Sequence, residues 1–148
     1  MEWFRKKTMK ITFRFLLLLC FLFVSFACKT SNTSTGNIHR QWMLVEFGDF
    51  TRDFLIAKRA NLDLTDTARP TAKMGCNQMF MKALFKNDKT VKFSDLGSTM
   101  MYCDDAMKLE EAFAHLLPTM IKFSIEGHRL TLTSQSGKQM KFVAADWD

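Results

Sequence analysis

The segment from Ile121 to Val143 constrains the fold more than any other stretch of the chain. Ile121, Phe123 and Ile125 alternate with Lys122, Ser124 and Glu126, Gly127-His128 turns the chain, and Leu130 and Leu132 alternate with Thr131 and Thr133. A second turn at Ser134–Gly137 leads into a third run, Lys138 to Val143. Alternation of period two puts every second side chain on one face of a strand, and short turns between such runs impose antiparallel pairing. A three-stranded meander with one buried face is therefore predicted here.

Upstream, Trp42 to Phe47 reads as a first strand mostly buried on both faces, and Arg59 to Leu64 as a second with Ala60, Leu62 and Leu64 on one face. Thr71 to Met74 leads into the tight turn Gly75-Cys76-Asn77, Gln78 to Phe85 continues as a strand, and Asn87-Asp88-Lys89 turns into Thr90–Phe93. One segment, Asp105 to Leu117, has helical spacing. Ala106, Leu109, Phe113, Leu116 and Leu117 share a face, Asp104 or Asp105 is placed to cap the first turn, and Pro118 ends it. The expectation is an α+β fold: a small, strongly curled or barrel-like antiparallel sheet with one main helix over a face or opening.

The N-terminus has a different character. Arg5, Lys6, Lys7, Lys10 and Arg14 precede an unbroken apolar run from Phe15 to Val24, followed by Ser25, Phe26, Ala27 and Cys28. A basic start, an apolar centre and small residues before a cut mark a secretory signal. Ten helical residues cover roughly 15 Å, about half of a bilayer core, so a permanent transmembrane helix is the weaker reading. The Cys directly after the cut resembles a bacterial lipoprotein signal, which makes Cys28 the lipidation candidate. Ser25 stands where such signals usually carry Leu, and ordinary secretion is the alternative. Residues 1–27 are thus expected to be a lipoprotein signal peptide, 28–40 a polar tether rich in Ser and Thr, and 41–148 a single domain.

This division changes the meaning of the charge. The whole chain carries 21 basic and 15 acidic residues, a net of +6 that invites a nucleic-acid or anionic-membrane reading. Residues 28–148 hold 16 and 14, a net of +2, interspersed without a basic stripe. No nucleic-acid partner is expected.

Chemistry-bearing residues are sparse. Cys20 belongs to the apolar run, which leaves Cys76 and Cys103 as an even pair in an exported domain. Such a pair reads first as a disulfide, with two free structural thiols or a redox pair as alternatives. His39, His115 and His128 fall in no metal or nucleophile spacing, and neither G-x-S-x-G nor a P-loop occurs. Glu110-Glu111 reads as a solvated helix edge. Met74, Met79, Met81, Met100 and Met101 gather in sequence around the two cysteines. Thioethers are soft copper ligands and also ordinary core fillers, so a copper site is a minor alternative. No catalytic, metal-binding or cofactor-binding residue is assigned.

Three segments together resemble the META domain (HslJ-like) family: Gly75-Cys76-Asn77, Thr99-x-Met101-x-Cys103 and Ala106-Met107-x-x-Glu110-x-x-Phe113. Trp42-x-Leu44 and the final meander occupy the matching places, and the resemblance runs from about Gln41 to Phe142. Met81 stands where the family commonly has Gly, and Asp104 where a Pro often follows the second Cys. The resemblance implies a compact α+β domain, frequent in bacterial envelope lipoproteins and stress contexts, without an established enzymatic activity. Its paired cysteines correspond to Cys76 and Cys103.

The sequence thus leads to a lipid-anchored, non-enzymatic binding or stress-protection module of the bacterial cell envelope, at the outer membrane, without a cofactor. Its expected partners are the membrane, through Cys28, and an envelope protein or small apolar ligand. Carriage of a lipid or other apolar ligand is the main alternative, ahead of a copper binder or an enzyme.

Overall fold

The computed structural model describes residues 36–147. The signal segment 1–27, Cys28 and the first part of the tether lie outside the described residues.

The meander forms as its alternation requires. Strands β6 (Met120–Glu126), β7 (Arg129–Ser134) and β8 (Gln139–Ala144) pair antiparallel in succession. Leu130, Leu132, Met140 and Phe142 are fully buried. Strand β6 departs from the expected face. Its register shifts between Met120 and Lys122, so Met120 turns inward and Ile121 outward, at 40% exposure. An extra residue in one strand swaps the faces on either side of it, which a strict count of two cannot anticipate.

Strand β1 (Gln41–Phe47) pairs with β8 and extends the sheet. It is expected to be mostly buried on both faces; it buries Trp42, Leu44 and Phe47 on one side, while on the other Met43 and Val45 are half-buried, and Glu46 is exposed. A register shift between Leu44 and Glu46 brings Phe47 back inward. The short strands β2 (Asn61–Asp63) and β3 (Thr71–Lys73) follow, then the longer hairpin of β4 (Gln78–Phe85) and β5 (Val91–Ser98). The order across the eight-stranded sheet is β5-β4-β3-β2-β1-β8-β7-β6. Its two edge strands are joined by one bridge, Thr90 opposite Lys122, with the N–H of Phe123 donating to the carbonyl of Lys89 at 2.9 Å. The sheet is curled far enough for its first and last strands to meet.

Two helices pack on this sheet, one more than expected, and strands dominate the fold. Helix α1 (Arg52–Ala57) starts at Thr51, whose hydroxyl accepts from the N–H of Phe54, and it buries only Leu55. Helix α2 (Met107–Leu116) buries Leu109, Glu110 and Phe113, and a 3-10 turn over Leu117–Thr119 carries the chain through Pro118 into β6. Neither Asp104 nor Asp105 caps α2. Its N-cap is Ala106, without a side-chain cap, because the carbonyl of Cys103 first takes the N–H groups of Ala106 and Met107 at 3.0 and 3.2 Å. Asp105 instead pairs with Lys58 at the end of α1, and Asp104 accepts from the Tyr102 hydroxyl.

Large apolar side chains from the sheet, α2 and the 3-10 turn are buried in the interior. Trp42, Phe113, Phe142, Leu62, Leu109 and Leu117 are all under 2% exposed. Each such side chain contributes about 1.5–3 kcal/mol by leaving water. Trp42 brings its one polar atom along satisfied, with Nε1 donating to the carbonyl of Ile38 at 3.0 Å.

Candidate functional site

The chain turns from β3 into β4 through Gly75-Cys76-Asn77, and this turn is the polar centre of the molecule. Gly75 has φ of +122°, a conformation that side chains with a Cβ rarely adopt, and the space a Cβ would fill is held by Lys58 and Ala106. Glycine at this point lets the turn press against the start of α2.

Cys76 is joined to Cys103 by a disulfide, with Cα atoms 6.1 Å apart. It ties the turn to the loop that leads from β5 into α2. Asn77, only 3% exposed, braces the same loop. Its Oδ1 accepts from the N–H of Met101 at 2.7 Å and the hydroxyl of Thr99 at 2.9 Å, while Nδ2 donates to the carbonyl of Met101 at 2.9 Å.

Glu110 reaches the turn from α2. It was expected on a solvated edge, but it is 5% exposed. Its Oε1 accepts the N–H of Cys76 at 2.9 Å and that of Asn77 at 2.5 Å, and Oε2 accepts from Asn77 Nδ2 at 2.7 Å. Three donors surround the carboxylate and offset the cost of burying it. The two residues therefore use their polar atoms on one another, on the backbone and on the Thr99 hydroxyl. This arrangement locks a loop; it leaves no general base aimed at a substrate.

The remaining candidates do not converge. His115 lies on α2 and His39 at the start of the described chain. His128 stacks on Trp147 with ring centroids 3.7 Å apart, and its Nδ1 faces Arg40 Nη1 at 3.3 Å. Arg40 in turn holds Asp146 at 2.7 Å, and this contact lowers the pKa of the Asp146 carboxyl. Among the described residues, no three His, Cys, Asp or Glu side chains are placed to hold a metal ion, and no helix is long and apolar enough to cross a membrane.

Open clefts supply the surfaces on which a partner can sit. One, of about 930 Å³, runs between α2 and the facing ends of β1 and β8. Phe47, Phe50, Ala112 and Leu116 form its apolar wall, and Glu46, Lys108, Glu111 and Lys138, with the imidazole of His115, its polar rim. A second, of about 580 Å³, lies where the β4–β5 hairpin approaches β6 and is walled by Ala83, Leu84, Phe85, Phe123 and Ile125. A third, of about 450 Å³, lies beside the disulfide-bound loop and is lined by Met79, Met100, Met101 and Met107. Sequence spacing could not reveal these clefts, since each gathers residues from distant parts of the chain.

The META domain family model matches residues 35–147. The chain belongs to the META domain family. In this META domain the Gly75-Cys76-Asn77, Met101–Cys103 and Glu110 segments that carry the resemblance are the ones that meet at the buried clamp. No curated protein is significantly similar to the chain. A protein from Burkholderia xenovorans, solved by NMR, has a similar structure with a TM-score of 0.57 at 17% identity, covering 74% of this chain and 83% of its own. A second protein solved by NMR is similar at a TM-score of 0.52 and 14% identity, covering 73% of this chain and 91% of its own. At these identities the likeness is one of fold.

Proposed function

We propose that this META domain is an exported, lipid-anchored binding or stress-protection module of the bacterial cell envelope, at the outer membrane, and that it has no catalytic chemistry. One observation carries the non-enzymatic reading: of the three buried polar residues described, Asn77 and Glu110 spend their hydrogen bonds holding a turn, a loop and a helix together, and Ser134 pairs with the neighbouring hydroxyl of Ser136. The disulfide between Cys76 and Cys103 suits an oxidising compartment. The basic start, apolar run and Cys28 supply the address and the anchor. The partner surface is the cleft beside α2, whose apolar wall and mixed-charge rim suit a protein segment better than a nucleic acid.

Mass spectrometry of the mature protein tests the anchor. The expected product begins at Cys28 with diacylglycerol on the thiol and an acyl chain on the amine; an unmodified Cys28, or a retained residue 27, overturns it. In cell fractionation, Cys28→Ala is expected to move the protein out of the membrane fraction.

Carriage of an apolar ligand is the second reading, favoured by the apolar walls of the cleft between the β4–β5 hairpin and β6. Lipid extracted from the purified protein, and lost in a Leu84→Glu variant, would support it.

A further inference from the structure

The methionines of the described residues differ widely in exposure, with Met43 and Met107 partly buried between two extremes. Met74, Met79, Met81, Met120 and Met140 are buried, none more than 5% exposed. Met100 is 99% exposed and Met101, its neighbour, 61%. Two adjacent thioethers left in water forgo the burial that makes Met useful in a core, so packing does not account for them.

Nor do they sit on a slack loop. Asn77 holds both the N–H and the carbonyl of Met101, and two residues later Cys103 is covalently tied to Cys76. The backbone is clamped while the side chains project outward. With both cysteines in the disulfide, the described residues contain no thiol to compete for an oxidant.

We propose that Met100 and Met101 form an oxidant-trapping site for hydroperoxides. A thioether lone pair attacks the terminal oxygen of the hydroperoxide, forming the S–O bond as the O–O bond breaks. The sulfur is oxidised to the sulfoxide, the peroxide is reduced to an alcohol or water, and the proton of its terminal hydroxyl passes to the departing oxygen. Each methionine consumes one equivalent. A sulfoxide is polar and disrupts a core, but at these positions it projects into solvent and leaves the packing untouched. The clamped loop therefore accepts two oxygen atoms at no cost to the fold. The protective role rests on the stress-protection reading above, whereas the reactivity needs no anchor.

The test is oxidation of the full chain by hydrogen peroxide, followed by peptide mapping and near-ultraviolet circular dichroism. Met100 and Met101 are expected to take up oxygen first with the tertiary signal unchanged. The five buried methionines should react roughly a hundredfold or more slowly, because they must wait for the domain to open. The double variant Met100→Leu, Met101→Leu should lose that early uptake, with oxidation of the buried methionines then accompanying loss of the tertiary signal. Uptake at Met74, Met79 or Met81 within about tenfold of the Met100 rate, or unfolding of the species carrying two oxygens, overturns the proposal. Cys28→Ala should show the same order of oxidation, so failure of the anchor assignment leaves this result standing.

Discussion

Glu110 Oε1 accepts the backbone N–H groups of both Cys76 and Asn77, at 2.9 and 2.5 Å, so one buried carboxylate joins α2 to the turn between β3 and β4. Both Asn77 donors that it satisfies are buried and the Cys76 N–H is partly so. Removing the acceptor therefore costs more than the bonds contributed, since the Asn77 N–H is left buried and unpaired.

Glu110→Ala is expected to destabilise the domain by about 3 kcal/mol or more, from two orphaned backbone donors and the loss of Asn77 Nδ2's partner. Glu110→Gln should cost less. Its amide oxygen still serves the backbone pair, and its NH2 is left facing the NH2 of Asn77. Urea unfolding of the three proteins checks the order, and equal midpoints for Glu110→Ala and the parent would refute it.

The disulfide closes a loop with a sequence separation of 27 residues. The chain-entropy argument gives a loss of roughly 3–4 kcal/mol for the Cys76→Ser, Cys103→Ser double variant, chiefly through the freed unfolded chain. Asn77 and Glu110 still hold the loop and helix, so the variant should fold with unchanged far-ultraviolet circular dichroism and a lower melting temperature. A melting temperature equal to that of the parent would show that the bridge contributes nothing.

Gly75 combines a φ of +122° with a filled neighbourhood: a Cβ would lie 3.0 Å from Lys58 Cδ and 3.1 Å from Ala106 Cβ. Gly75→Ala is expected to destabilise by about 1–3 kcal/mol, from the strained backbone together with the displaced Lys58 side chain. Gly97, whose added Cβ would meet nothing within 4 Å and whose φ is not positive, is the control. Gly97→Ala should fall within about 0.5 kcal/mol of the parent. Similar losses at both positions would exclude this explanation.

Legibility in the sequence followed the range of the interactions. The C-terminal meander was readable because one-faced burial leaves a local trace, in Leu130, Leu132, Met140 and Phe142. Ile121 was misplaced because a register shift is set by the partner strand. Helix α1 escaped notice because it buries a single residue, Leu55, too few to show a period, although Thr51 three residues before Phe54 was a usable cap signal. The start of α2 was misjudged because the competing acceptor, the Cys103 carbonyl, has no side-chain signature. Glu110 read as solvent-facing because its partners lie 33 and 34 residues earlier; only the family pattern singled it out.

Acid sensitivity follows from the exposed carboxylates. The Thr90 hydroxyl and N–H lower the pKa of Asp88; the Ala68 N–H and Arg69 do so for Asp66. Lys82, Lys58 and Arg40 lower those of Asp95, Asp105 and Asp146. A carboxyl whose pKa is lower folded than unfolded binds its proton more readily in the unfolded chain. It therefore stabilises the fold above the unfolded value of about 3.9, and that contribution is lost as the pH falls through the folded value. All five groups face solvent, so each effect is small and screened by salt. The urea midpoint should be flat from neutral pH to about pH 5 and fall below about pH 4, less steeply at high salt. Lys82 acts in the opposite sense: Asp95 raises its pKa, so its contribution is present below about pH 10.4 and lost as the pH rises through the folded value. A midpoint that climbs between pH 4 and pH 3 would contradict the assignment of these carboxylates as net stabilisers.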